Sequence, residues 1–252
     1  MDPNFTDPSC VPASVSVVGA GRLGTALAEA LRAAGFEVRG PVGRGEAIPP
    51  ADAVLLCVPD GEISDAARAA GGAAPLIGHC SGATPIAELG PGAFGLHPLQ
   101  TFAGGEGPDR FRGAGCAVAG ATPGALAAAT ALARALGMHP FEIDDSGRAA
   151  YHAAASIASN FLVTLEDAAE RVAAGAGLAP ADARRLLAPL VRSTVENWAA
   201  RGPEQALTGP IARGDEATVD RQRQAVAEVA PELLALFDEM ADRTRALTGV
   251  AV

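Results

Sequence analysis

The stretch SVSVVGAGRLGTALAEALRAAGFEV, residues 14 to 38, decides the fold. It opens on a β-branched run, passes through a glycine turn, continues with apolar residues at helical spacing and stops at Gly35. Strand, loop and helix follow in that order. The turn carries G-x-G-x-x-G as Gly19, Gly21 and Gly24. In such a turn the first glycine permits the sharp reversal, the second lets a pyrophosphate approach the backbone, and the third lets helix and strand pack closely. The helix N-terminus offers free N–H groups and the positive end of a dipole to phosphates. Arg22 and Leu23, which open that helix, therefore join the three glycines as candidate cofactor-binding residues.

The next strand, FEVRGPVGRG, bears on which dinucleotide is bound. An NAD site ends this strand with an acidic residue for the ribose 2′-OH, whereas an NADP site carries small residues and an Arg. Here no acid occurs after Glu37 until Glu46, which favours NADP(H) over NAD(H). Arg44 is the expected 2′-phosphate partner and Arg39 the other candidate. Three further strands are expected in DAVLLCVPD (52–60), PLIGHCSGA (75–83) and GAFGLHPLQ (92–100). Ligands of doubly wound sheets bind beyond the carboxyl ends of the strands. That rule draws Val58, Pro59 and Asp60, then Ser81 and Gly82, then His97 and Pro98 toward one crevice. Val58, Pro59 and Ser81 are cofactor candidates and His97 a catalytic one. A last αβ unit, CAVAGATPGALAAATALARALGMHPFEID, completes this domain near Asp145.

Beyond that point the strand pattern gives way to helices rich in Ala, Leu, Arg and Glu, expected at 147–174, 180–200, 216–229 and 231–247. Pro189 is expected to bend the second, and Pro231 to break or kink the run around it. The expected fold is an α/β Rossmann domain with a mostly parallel sheet, followed by an all-α helical domain. A disordered tail at 1–13 precedes a Rossmann-like NAD(P)-binding domain at 14–145 and a helical substrate and dimerisation domain at 146–252.

Within the first of these helices, RAAYHAAASIASNFLVT (148–164) places Arg148, His152, Ser156, Asn160 and Thr164 four residues apart among apolar neighbours. The reading is a helix buried on nearly every side whose polar stripe lines a site. A second segment, LTGPIARGDEATVDRQ (207–222), sets Thr208, Gly209 and Arg213 ahead of Asp215, a candidate N-cap. These residues and the N–H groups of the following helix could hold a carboxylate, which makes Thr208, Gly209, Arg213 and Arg148 the candidate substrate-binding set.

Composition narrows the chemistry. A formal net charge of -10 argues against a nucleic-acid surface. All 19 basic residues are Arg, which excludes any mechanism that requires a lysine. No run approaches the ~18 apolar residues of a membrane span. The start shows neither the basic nor the apolar region of a signal peptide, so a cytoplasmic protein is expected. Cys10, Cys57, Cys80 and Cys116 lack the spacing of a zinc site, and neither a metal nor a structural disulfide is expected.

Together the glycine fingerprint, HPLQTF (97–102), YHAAASIASN (151–160) and LTGPIARGD (207–215) resemble the bacterial proteins that join a Rossmann-like domain to domain of unknown function 2520. The resemblance runs from about Val15 to about Leu247. The wider superfamily, that of the 6-phosphogluconate dehydrogenase C-terminal-like domain, includes 3-hydroxyisobutyrate dehydrogenase, pyrroline-5-carboxylate reductase and ketopantoate reductase. The resemblance implies NAD(P)-dependent chemistry in an interdomain cleft and a homodimer formed through the helices. Hydroxyacid dehydrogenases of that superfamily carry a catalytic Lys and, four residues on, an Asn behind a helix-leading glycine. Behind Gly147 the matching positions hold His152 and Ser156, with Asn160 one turn later, so the Lys-based assignment does not transfer. Pyrroline-5-carboxylate reductases surround the substrate carboxylate with a loop that matches Thr208 and Thr218.

The expected activity is NADPH-dependent reduction of the C=O of a small, ketopantoate-like 2-oxo acid. His152 is the expected proton donor, with Asn160 and Ser156 orienting the carbonyl and carboxamide and His97 as rival acid. A C=N reductase of the pyrroline-5-carboxylate or imine type is the nearest alternative. A non-catalytic NADP(H)-binding sensor or scaffold is the alternative from another class.

Overall fold

Alternation along the first strands sets the layers. In the computed structural model, which describes residues 11–248, Val15 and Val17 of β1 (Ser14–Val18) point to one face of the sheet and Val18 to the other. The expected disordered tail lies outside the described residues except for Val11, Pro12 and Ala13, and Cys10 lies outside them too. On the first face Val15, Val17 and Leu55 pack with Leu27 and Leu31 of α1 (Arg22–Ala33) and Leu132 of α3 (Pro123–Ala135). On the second, Val18, Val54 and Leu56 pack with Ile63 of α2 (Ile63–Ala69). Helices on both faces leave the strands no solvent side, hence their nearly continuous apolar runs. Ser14 and Ser16 are the buried polar residues of β1, and their hydroxyls donate to the Asp52 carboxylate at 3.0 Å and to the Pro49 carbonyl at 2.6 Å.

The sheet has seven strands in the order β2-β1-β3-β4-β5-β6-β7. Besides β1 these are β2 (Glu37–Val42), β3 (Ala53–Leu56), β4 (Leu76–His79), β5 (Ala93–Pro98), β6 (Gly115–Gly120) and β7 (His139–Glu142). All neighbours pair parallel except β5 and β6, which run antiparallel. The carboxyl ends of β1, β3, β4 and β5 therefore share one edge. The pairing of β1 with β2 shifts register between Ser16 and Val18. Gly40 makes this possible: its φ is 89°, and a Cβ there would stand 2.5 Å from the Val17 carbonyl.

The chain divides into two units after Ala158, not at Asp145. The reason lies in α4 (Arg148–Ser156), whose Arg148 and Tyr151 bond to residues of the sheet unit. The single helix expected at 147–174 is also interrupted, because a π turn at Ile157–Phe161 separates α4 from α5 (Leu162–Ala173). The second unit continues through α6 (Pro180–Arg201), the short α7 (Pro203–Ala206), α8 (Glu216–Val229) and α9 (Leu234–Thr248). Pro189 sits inside α6 without ending it, while Pro231 opens the 3-10 turn that parts α8 from α9. Asp215 caps α8 as expected, its carboxylate accepting the Thr218 N–H at 3.1 Å. Among the described residues no helix is long and apolar enough to cross a membrane.

Candidate functional site

The glycine loop borders a cavity of about 680 Å³, within the ~300–1,000 Å³ of small-molecule sites, lined by Gly19, Gly21, Arg44, Val58, Pro59 and Glu62 among others. Each glycine has a distinct reason to be there. Gly19 has φ 105°, and a Cβ on it would lie 2.3 Å from the Cys57 carbonyl oxygen. A Cβ on Gly24 would lie 1.9 Å from the Gly19 carbonyl oxygen, so helix and strand touch there. A Cβ on Gly21 would meet nothing within 4 Å, which leaves the backbone open to a ligand. Gly21 also caps α1 without a side chain, so no protein oxygen competes for the N–H groups of the first turn. These features fit a dinucleotide pyrophosphate. Arg22 extends beside Gly104 at a second cavity, whereas Leu23 turns into the core and offers only its backbone.

The two arginine candidates separate cleanly. Arg39 bonds Glu37 at 2.8 Å and also the Pro50 carbonyl, so its guanidinium is engaged away from the cavity. Arg44 lines the cavity, is 83% exposed, and pairs with Glu62 on the same rim. The Glu46 carboxylate accepts the Gly43 N–H at 2.7 Å and shapes the turn that presents Arg44.

Further along the same carboxyl edge, β4 and β5 meet α4. His97, next to the last residue of β5, has Nδ1 2.6 Å from the Tyr151 hydroxyl. The His97 and His152 ring centroids are 6.2 Å apart. Gly82 packs against both imidazoles: a Cβ there would lie 2.9 Å from His152 Cδ2 and 3.0 Å from His97 Nε2, so only a glycine fits. Burial, with help from the His152 and Arg148 charges, lowers the His97 pKa from 6.5 to about 4, so this imidazole is neutral at physiological pH. Burial raises Tyr151 to about 12. His79, fully enclosed at the end of β4, is also lowered to about 4, first by burial and then by Arg148. Its Nδ1 accepts the Ser81 N–H at 3.2 Å, while Nε2 meets no partner among the described residues.

Several expected ligand contacts are otherwise engaged. Arg148, expected to bind substrate, is 3% exposed, held by Asp145 at 2.7 Å and aimed at the Ser81 carbonyl at 3.4 Å. A buried cation needs such partners, and these leave it tying α4 to the sheet. Ser81, expected to touch cofactor, donates to Thr84 Oγ1 and accepts the Ala83 and Thr84 N–H groups, which builds the turn that contains Gly82. Thr218 spends its hydroxyl on Asp215 at 2.7 Å, and Asp215 occupies the α8 N-terminus expected to receive a carboxylate.

The polar stripe does not hold as a unit. Arg148 is buried, His152 exposed, Ser156 half-buried, and Asn160 lies exposed inside the π turn that breaks the four-residue register. Nor is the helix buried on every side, since Ile157, Phe161 and Val163 are exposed. Asn160, Thr208, Gly209 and Arg213 belong to the second unit, and His97, His152 and Ser156 to the first. Thr208 and Arg213 are exposed, and Gly209 has φ 97°.

Tyr151 and His79 were not among the expected site residues. A signal for the first existed, because it is the chain's one tyrosine and directly precedes His152. Cys57, Cys80 and Cys116 are free thiols, and among the described residues no group of three His, Cys, Asp or Glu side chains could hold a metal ion.

A glycine-loop α/β unit followed by a helical unit defines a Rossmann-like class with a helical second domain, and solved structures share it. BF3122 from Bacteroides fragilis, provisionally described as an NADP oxidoreductase, has a TM-score of 0.77 at 20% identity, covering 93% of this chain and 98% of its own. Protein TM1727 from Thermotoga maritima has a TM-score of 0.75 at 24% identity, over 93% and 98%. The Plasmodium falciparum pyrroline carboxylate reductase, solved with NADP bound, has a TM-score of 0.58 at 11% identity, over 94% and 98%. Residues 114–244 match the family described as domain of unknown function (DUF2520), and the chain belongs to that family. No curated protein matches it.

Proposed function

We propose that this protein is an NADPH-dependent oxidoreductase that reduces the carbonyl of a small 2-oxo acid. The observation that carries the reading is the pair of imidazoles, His97 and His152, whose centroids lie 6.2 Å apart at the sheet edge that also bears the open glycine loop. Backbone N–H groups of the α1 first turn hold the pyrophosphate, and Arg44 exchanges Glu62 for the ribose 2′-phosphate. When bound, the dinucleotide supplies a hydride to the carbonyl carbon. The C=O π pair moves onto oxygen, and His152 delivers the proton that completes the alcohol. His152 suits this role better than His97, because it is exposed and can recover its proton from solvent, whereas buried His97 stays neutral. The NADP-bound neighbour supports the choice of cofactor.

Following NADPH absorbance with purified protein and a panel of 2-oxo acids and cyclic imines tests this. Turnover on 2-oxo acids that falls at least a hundredfold in His152→Ala is expected. NADPH binding without oxidation across the panel would show a sensor instead, and intact turnover in His152→Ala would remove the proton donor.

We also propose that the helical unit pairs with a second copy of the chain. Leu186, Leu190 and Trp198 of α6 lie exposed along the helix at multiples of four residues, a row that a monomer would leave in water.

A further inference from the structure

Tyr151 makes one hydrogen bond among the described residues, to His97 Nδ1, and the two rings meet edge to face with centroids 5.5 Å apart. If Nδ1 carried the proton, the phenolic hydrogen would be left without a partner in a half-buried place, at the cost of an unmade bond. With the hydroxyl donating, Nδ1 accepts and the proton of a neutral imidazole must sit on Nε2. Nε2 lies on the ring edge away from Tyr151, beside Gly82, 3.0 Å from where a Cβ of that residue would stand. The charges acting on His97 are His152, Arg148 and His79 on one side and the exposed Asp60 on the other. Asp145, the other nearby acid, is engaged by the Ile86 and Ala87 N–H groups and by Arg148. A neutral carbonyl whose oxygen gathers negative charge finds a fixed N–H donor here. A protonated imine finds imidazoles, a buried guanidinium and one solvated carboxylate.

We propose that Tyr151 is a positioning residue that locks His97 as the Nε2–H tautomer, so that His97 donates a hydrogen bond to the oxygen of a substrate bound beside His97 and His152 and the site selects C=O over protonated C=N. The proposal rests on the reductase reading above. It is an electrostatic role: the donor is aimed in advance at the atom where charge develops, while His152 transfers the proton.

Nuclear magnetic resonance of the full chain with ¹⁵N-labelled histidine tests the tautomer without turnover. There are 4 histidines, and His97→Gln assigns the signal. The expected spectrum shows His97 with Nδ1 unprotonated and Nε2 protonated, shifting toward a tautomer mixture in Tyr151→Phe; a protonated Nδ1 in the unaltered protein overturns the proposal. Kinetics test the consequence. Tyr151→Phe should lower kcat on 2-oxo acids about ten- to hundredfold, leave NADPH affinity unchanged and alter the pH profile. Unaltered protein that turns over cyclic imines faster than 2-oxo acids overturns the selection for C=O. If no panel member is reduced, the reductase reading fails, while the tautomer assignment is still decided by the spectrum.

Discussion

Replacing Arg44 by Ala removes the one basic side chain that lines the glycine-loop cavity among the described residues. Its present partner, Glu62, is itself partly exposed, so the pair lies in high dielectric, and such pairs contribute about 0–1 kcal/mol. A phosphomonoester carries nearly twice the charge of a carboxylate, and a hydrogen bond to a charged group contributes about 1.5–3 kcal/mol. Arg44 is 83% exposed, so screening places the net gain near the lower bound. About 1.5 kcal/mol corresponds to a roughly tenfold weaker Kd for NADPH in Arg44→Ala, with NADH affinity unchanged because NADH lacks the 2′-phosphate. Glu62→Gln removes the competitor and should tighten NADPH a few-fold. Fluorescence titration of both nucleotides at low and moderate salt measures each effect, and raising the salt should shrink the NADPH preference. Equal losses for NADPH and NADH in Arg44→Ala would refute the reasoning, as would unaltered protein that binds NADH more tightly.

Gly24→Ala drives a Cβ to within 1.9 Å of a backbone oxygen and should cost about 1–3 kcal/mol in denaturant unfolding, whereas Gly21→Ala meets no atom and should leave stability intact while weakening NADPH; equal stability of the two variants would contradict this. His79 and His97 bind protons near pH 4 when folded but near 6.5 when unfolded, so the unfolded chain gains protons first as pH falls. Each should remove about 3 kcal/mol of stability between pH 6.5 and 4, and His79→Gln should flatten that slope in unfolding measured at pH 7.5 and 4.5; an unchanged slope would show that His79 does not titrate there. Leu190→Arg together with Trp198→Arg should convert a dimer to a monomer in light scattering, and an unaltered protein that is already monomeric would dispose of the pairing proposal.

What local sequence determines, it determined well. The Gly19, Gly21 and Gly24 pattern specifies a strand, a tight turn and a helix within one short segment, because sterics at each glycine act on neighbouring atoms. Asp215 as a cap and Pro231 as a breaker are local in the same sense. The polar stripe was misleading because four-residue spacing assumes an uninterrupted α-helix. The π turn at Ile157–Phe161 breaks that assumption, and no single residue announces it. Arg39 and Arg44 look equivalent as letters, and only the positions of Glu37, Pro50 and Glu62 engage one and leave the other at the cavity.

The pairing of His97 with Tyr151 spans 54 positions of chain, and the close packing of His97 and His152 depends on a glycine after yet another strand. Tertiary structure alone decided that Arg148 is a buried tie and not a ligand contact, since a guanidinium's role is set by which carboxylate and carbonyl reach it first. Sequence by itself determined the class of fold and the glycine loop proposed to receive a dinucleotide. Which side chains face that place was decided by the sheet, because parallel strands gather at one edge residues that the chain keeps far apart.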